Sequence, residues 1–203
     1  VGRGKVYLVM GNREGCGEPA DCSNRPSWLV SLSMVNPGDS IPLLGPGNAG
    51  PAVTGADGNI YVLSRGDGGS VEGRLSVIDP IRNAEVASFG GFGASPSWIG
   101  TNAGDRVLVA SEQGGLMVFN TRDRRVERGI GSGIPLNRPG GIATDELGRV
   151  YILEKGDCTA NSPGRVRVFG PDLVERQIIT GGICPVGAAT TTAIPASAFG
   201  FES

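Results

Sequence analysis

Apolar residues in this chain come in short runs, and the runs differ in a way that depends on position. In Ile60-Tyr61-Val62-Leu63 and Val150-Tyr151-Ile152-Leu153 neither face of an extended strand is polar. A sheet with one wet face would alternate strictly, so these strands are expected to be covered on both sides. Runs such as Arg124-Arg125-Val126-Glu127-Arg128 carry charge instead, as an exposed sheet edge does to resist pairing with other chains. Almost no window of a dozen residues escapes Gly or Pro, which excludes long helices. Short strands joined by turns are what the pattern predicts.

The strands recur. Gly50-PAVTGADGNIYVLSRG, Pro96-SWIGTNAGDRVLVASE and Pro139-GGIATDELGRVYILEKG each run from an apolar strand through a Gly-containing tight turn to a doubly apolar strand. The turn glycines Gly58, Gly104 and Gly148 are 46 and 44 residues apart. A third strand opening on Gly73, Gly115 or Gly164 follows each, then a fourth at Ala84, Arg125 or Leu173. Four strands per unit of about 45 residues predict the blade of a β-propeller. The expected blades span about residues 50–94, 96–137 and 139–183.

The Pro139 and Gly50 stretches resemble the NHL-type propeller repeat. The middle unit is more divergent, with Asn102-Ala103-Gly104-Asp105 at the turn. The resemblance covers roughly residues 50–190 and implies architecture; propellers host binding, scaffolding and catalysis alike.

The two ends complement each other. Gly4-KVYLVM matches the second strand of the repeat, Ser27-WLVSLSMVNPGDSIPLL the third and fourth, and Pro185-VGAATTTA the missing first. An all-β, four-bladed propeller over residues 1–194 follows. Its first blade, about 1–48, is a composite completed by 185–194. Two closures fit: pairing of about 186–193 beside Lys5–Met10 in the same chain, or strand exchange with the next molecule. Residues 195–203 form a tail beyond any blade, in which Phe199 and Phe201 alternate as a docking strand would.

Composition narrows the chemistry. The chain has 35 Gly, 14 Pro and no His in 203 residues, and a formal net charge of −2. Without His there is no Ser-His-Asp triad, Cys-His dyad or imidazole metal ligand. The charge lacks the basic excess of a nucleic-acid binder, and the apolar runs are far below the ~20 residues that span a bilayer. No catalytic residue, cofactor or metal site is expected. Asp57-Gly58 reads as a hairpin turn, Arg65-Gly66-Asp67 as a turn after a strand, and Arg122, Arg124, Arg125 and Arg128 as a solvated edge balanced by Asp123 and Glu127.

Cys16, Cys22, Cys158 and Cys184 all fall in loops that an up-and-down meander places on one face. Cys16–Cys22 and Cys158–Cys184 form the most economical of three pairings, and suggest an oxidising compartment. A four-thiolate zinc site is the alternative, although no Cys-x₂₋₄-Cys spacing supports it. These features together lead to an expectation of a secreted, non-catalytic propeller contacting other protein chains, copies of itself first, as in an extracellular filament or surface layer. Phe199 and Phe201 are its candidate contacts. The competing expectations are a lyase- or lactonase-type propeller enzyme and a small-ligand-binding propeller.

Overall fold

The computed structural model describes residues 5–11, 26–33, 37–67, 70–102 and 104–190. Within them the chain is all β. The first sheet holds β1 (Val6–Met10), β2 (Trp28–Leu32) and β3 (Pro37–Pro42). The second holds β4 (Ala49–Thr54), β5 (Ile60–Ser64), β6 (Arg74–Asp79) and β7 (Ala84–Phe89). The third is built from β8 (Trp98–Asn102), β9 (Arg106–Ser111), β10 (Gly115–Asn120) and β11 (Arg125–Arg128). The fourth comprises β12 (Pro139–Thr144), β13 (Val150–Glu154), β14 (Pro163–Phe169) and β15 (Glu175–Ile183). Every sheet is an antiparallel meander in chain order, and β1, β4, β8 and β12 lie side by side in sequence. This is the four-bladed propeller arrangement.

The three four-stranded blades are made by the same local devices. The turn between the first two strands of each places Gly58, Gly104 and Gly148 at φ of 79°, 111° and 75°, a region glycine occupies without steric cost. In the second and fourth sheets an aspartate clasps this turn. The Asp57 carboxylate accepts from the Tyr61 hydroxyl at 2.8 Å, and that of Asp145 from the Tyr151 hydroxyl at 3.0 Å. Burial, then the hydrogen bond to Asp57, pushes the Tyr61 hydroxyl well above its ordinary pKa. At the entrance to each first strand stands a non-glycine residue with positive φ: Asn48 (68°), Ser95 (54°) and Arg138 (47°). The carbonyls of Asn48 and Arg138 accept from the N–H of Arg65 and Lys155, each at 3.1 Å, which pins the start of one strand to the end of the next.

Apolar layers fill the seams between sheets. Leu29 and Ile41 meet Ile60, Val62 and Ile78 between the first and second. Tyr61, Leu63 and Val77 meet Val107, Val109, Met117 and Phe119 between the second and third. Leu108, Leu116 and Val118 meet Ile142, Val150, Ile152 and Phe169 between the third and fourth. The doubly apolar strands β5 and β9 therefore lie between neighbours, as their lack of alternation requires, whereas β13 is covered by the third sheet on one side only among the described residues. Among the described residues no fourth layer joins the last sheet to the first.

Val150 is fully buried in the last of these layers. Val150→Asp places an unpaired carboxylate there, costing on the order of 5 kcal/mol or more against a total stability of ~5–15. The expected outcome is loss of the cooperative thermal transition; a soluble variant with an unchanged melting temperature would remove β13 from the core.

Candidate interaction site

The first sheet differs from the others in both edge and face. Among the described residues β1 pairs with β2 and with no strand on its other edge. Tyr7 and Val9 pack against the seam to the second sheet, while Val6, Leu8 and Met10 point the other way and are 46%, 46% and 39% exposed. Their cross-strand partners are Leu32, Val30 and Trp28, all half-buried, so the free face is apolar over two strands. An exposed row of this kind on an open strand is a template for another chain.

The C-terminal segment carries the start of the strand that fits such an edge. Cys184 has φ of 52°, repeating the conformation of Asn48, Ser95 and Arg138 at the head of a first strand. The N–H of Gly187 donates to the Gly140 carbonyl at 2.8 Å, holding the segment along β12. The Thr190 hydroxyl donates to the Thr144 carbonyl at 2.7 Å, just as the Thr144 hydroxyl donates to the carbonyl of Thr101 one blade earlier. Residues 185–190 thus occupy the place of the next blade's first strand, yet within this stretch they form no ladder with β1. The remainder of the proposed completing strand, 191–194, lies outside the described residues.

Cys158, in the loop between β13 and β14, is joined by a disulfide to Cys184, 26 positions further along the sequence, with a Cα–Cα distance of 5.0 Å. The shared loop face argued from the meander is therefore observed. Because both sulfurs are consumed by this bond, the four-thiolate zinc alternative is overturned. Among the described residues no cluster of three or more Cys, Asp or Glu could hold a metal. Cys16, Cys22, Phe199 and Phe201 lie outside the described residues.

The rim beside the disulfide is polar. Asp157 accepts from the Thr159 hydroxyl at 2.8 Å and from the N–H groups of Thr159 and Ala160 at 3.0 and 3.2 Å. The Thr159 hydroxyl, followed by these N–H groups, holds its carboxyl below the usual range. Glu154 is 1% exposed and accepts from the Arg165 and Arg167 guanidinium groups and from the N–H of Asn137. A cavity of about 390 Å³ opens above it, lined by Arg138, Glu154, Asp157 and Arg165 among others. Cations and carboxylates balance there. On the outer edge, Arg125 pairs with Asp123 and Arg122 with Asp105, so two of the four cluster arginines are paired, while Glu127, expected to balance the cluster, pairs with Arg106 instead.

Solved structures similar to this chain are propellers. The Dos1 propeller matches at 12% identity and TM-score 0.56, with 82% of this chain and 47% of that one covered. The Pan2 WD40 domain of Neurospora crassa matches at 12% and 0.57, covering 80% and 49%. A quinoprotein alcohol dehydrogenase-like protein of Bacteroides thetaiotaomicron matches at 12% and 0.57, covering 90% and 45%. At such identity the likeness is one of fold, and this chain spans about half the length of each. No protein-family model and no curated protein matches the sequence.

The exposed face of the first sheet was not legible in the sequence, because Val6–Met10 is as apolar as strands that are covered on both sides, whereas its open edge was expected from the missing first strand. Cys158→Ser removes a bridge that closes a loop of this size, and is expected to cost about 2–4 kcal/mol of stability, read by denaturant unfolding. An unchanged midpoint would show that the bridge does not constrain the unfolded chain. The depressed carboxyl of Asp157 stabilises the folded state above its unfolded pKa, and that stabilisation is lost as pH falls through the folded value. Asp157→Asn is therefore expected to flatten the fall in melting temperature between about pH 5 and pH 3.

Proposed function

We propose that this chain is a non-catalytic propeller of the NHL type that joins other protein chains, copies of itself first, in an extracellular assembly such as a filament or surface layer. The observation that carries the reading is the first sheet, whose β1 offers, among the described residues, an open edge and an exposed apolar face together. Covering the exposed parts of Val6, Leu8 and Met10 is worth about 2–4 kcal/mol. Association costs ~4–15 kcal/mol in lost freedom, so face contact is insufficient by itself. Backbone pairing along β1 must add to it, and a strand of the kind begun at residues 185–190 supplies that pairing. Phe199 and Phe201, in the tail that follows, are assigned to the same contact. The Cys158–Cys184 disulfide is compatible with an extracellular location. The histidine-free sequence argues against a lyase- or lactonase-type centre, which relies on metal ligands that usually include His.

Leu8→Glu tests this reading, because Leu8 is exposed in the folded chain and a charge there leaves the core intact. The full chain is expected to sediment as a concentration-dependent oligomer, and Leu8→Glu as a monomer with an unchanged melting temperature. A wild-type chain that stays monomeric at high micromolar concentration, or a variant that assembles equally, overturns it. Deletion of residues 195–203 separates the two elements. Assembly lost with folding retained assigns the connection to the tail; assembly retained assigns it to the strand before it.

A further inference from the structure

The fourth sheet ends as an interior blade ends. Like Ser95 and Arg138, Cys184 is a positive-φ residue followed by a proline. A Cβ at Gly73 would strike the Pro96 ring, and one at Gly164 would strike the Pro185 ring. Both glycines stand at the start of a third strand, so the same close approach seats the incoming strand in both places. The bonds from Gly187 to Gly140 and from Thr190 to Thr144 continue that seat along β12. The first sheet shows the other half of a junction, since among the described residues β1 has no strand on its open edge. We infer that two copies of this chain close into one ring, four blades from each, in which residues 185–190 of each copy begin the strand that completes the β1 edge of the other.

This inference rests on the reading that copies join through β1, and adds how many copies take part and which face they meet. The number follows from curvature. The chain spans about half the length of each propeller it resembles, over most of its own length. Four blades that follow such a ring turn through about half of it. In keeping with that, residues 185–190 form no ladder with β1 of their own chain, and no apolar layer joins the fourth sheet to the first among the described residues. One further half-ring, related by a two-fold axis, closes the figure. Both ends of both copies are then paired, and no edge remains to recruit a third.

The surfaces that meet are apolar on both sides. The first sheet brings Val6, Leu8 and Met10. On the side of the fourth sheet away from the third, Leu153, Val166 and Ile179 stand in one row across β13, β14 and β15. The row passes outward from buried through half-buried to exposed. Ile178 points the other way, in line with Arg167 and Ile152 on the side of the third sheet. The ring, rather than the single chain, is then the unit of any larger assembly.

Sedimentation equilibrium of the full chain is expected to give a particle of two chains whose mass stops growing as concentration is raised. A photo-crosslinking residue at the exposed Val186 reports the exchange in light and nitrogen-heavy chains refolded together. It is expected to join this segment to β1 in mixed-isotope pairs. Ile179→Glu is expected to weaken pairing at least about tenfold, the effect of losing one buried apolar side chain. Ile178→Glu, similarly exposed on the opposite face, is expected to leave pairing unchanged. A single-chain particle overturns both this inference and the self-association reading. Masses that climb without limit keep that reading and overturn the closed ring. Crosslinks confined to one isotope place the strand in its own chain and overturn the exchange. Equal effects of the two substitutions remove the fourth-sheet face from the contact and overturn the inference as well.

Discussion

Sheet-on-sheet burial of the second and third strands of each blade is the interaction on which this molecule depends. Val62, Leu63, Val107, Leu108, Val109, Val150 and Ile152 are almost wholly inaccessible to solvent. Those of the second and third sheets face alternately into the seam before and the seam after their own sheet, while Val150 and Ile152 both face the seam to the third. No blade could keep such strands dry by itself. Each needs a neighbour on both sides, so stability is shared between blades rather than held within them. The polar devices follow from this. Aspartate-clasped turns, positive-φ entrances and backbone clips set the strand ends so that apolar faces meet in register.

A sheet at the end of such a stack has one face too many. The first sheet satisfies its inner side with Tyr7, Val9, Leu29 and Ile41 and presents Val6, Leu8 and Met10 to solvent. The fourth sheet ends in β15, whose Ile178, Ile179 and Ile183 are also exposed. Among the described residues, the ends of the stack are where this architecture is least complete.

The fold was legible in the sequence because the covered strands lack alternation and the turn glycines recur at a blade's spacing. Asp57-Gly58 and Tyr61, or Asp145 with Gly148 and Tyr151, could be read as a repeated turn before any coordinates. The bond between Cys158 and Cys184 was legible too, since a meander puts both loops on one face. Other features were not. Apolarity at Val6, Leu8 and Met10 says nothing about whether a neighbour is present. The row of Leu153, Val166 and Ile179 unites three strands whose relation appears only once their register is set. Glu154 looks like a strand-end surface charge, and only its neighbours Arg165 and Arg167 on β14 explain why it is buried.

The threonine hydroxyls along the inner strands carry a wider consequence. Thr144 holds the carbonyl of Thr101, and Thr190 holds that of Thr144. The same bond recurs at these two successive junctions and ties each inner strand to the one before it by a local rule. Nothing in it refers to the total number of steps. A joint defined this way is indifferent to copy number, so duplication of a blade-sized segment would extend the array without redesigning any existing junction. The joint between blades then leaves the number of blades to be set elsewhere, at the ends of the array.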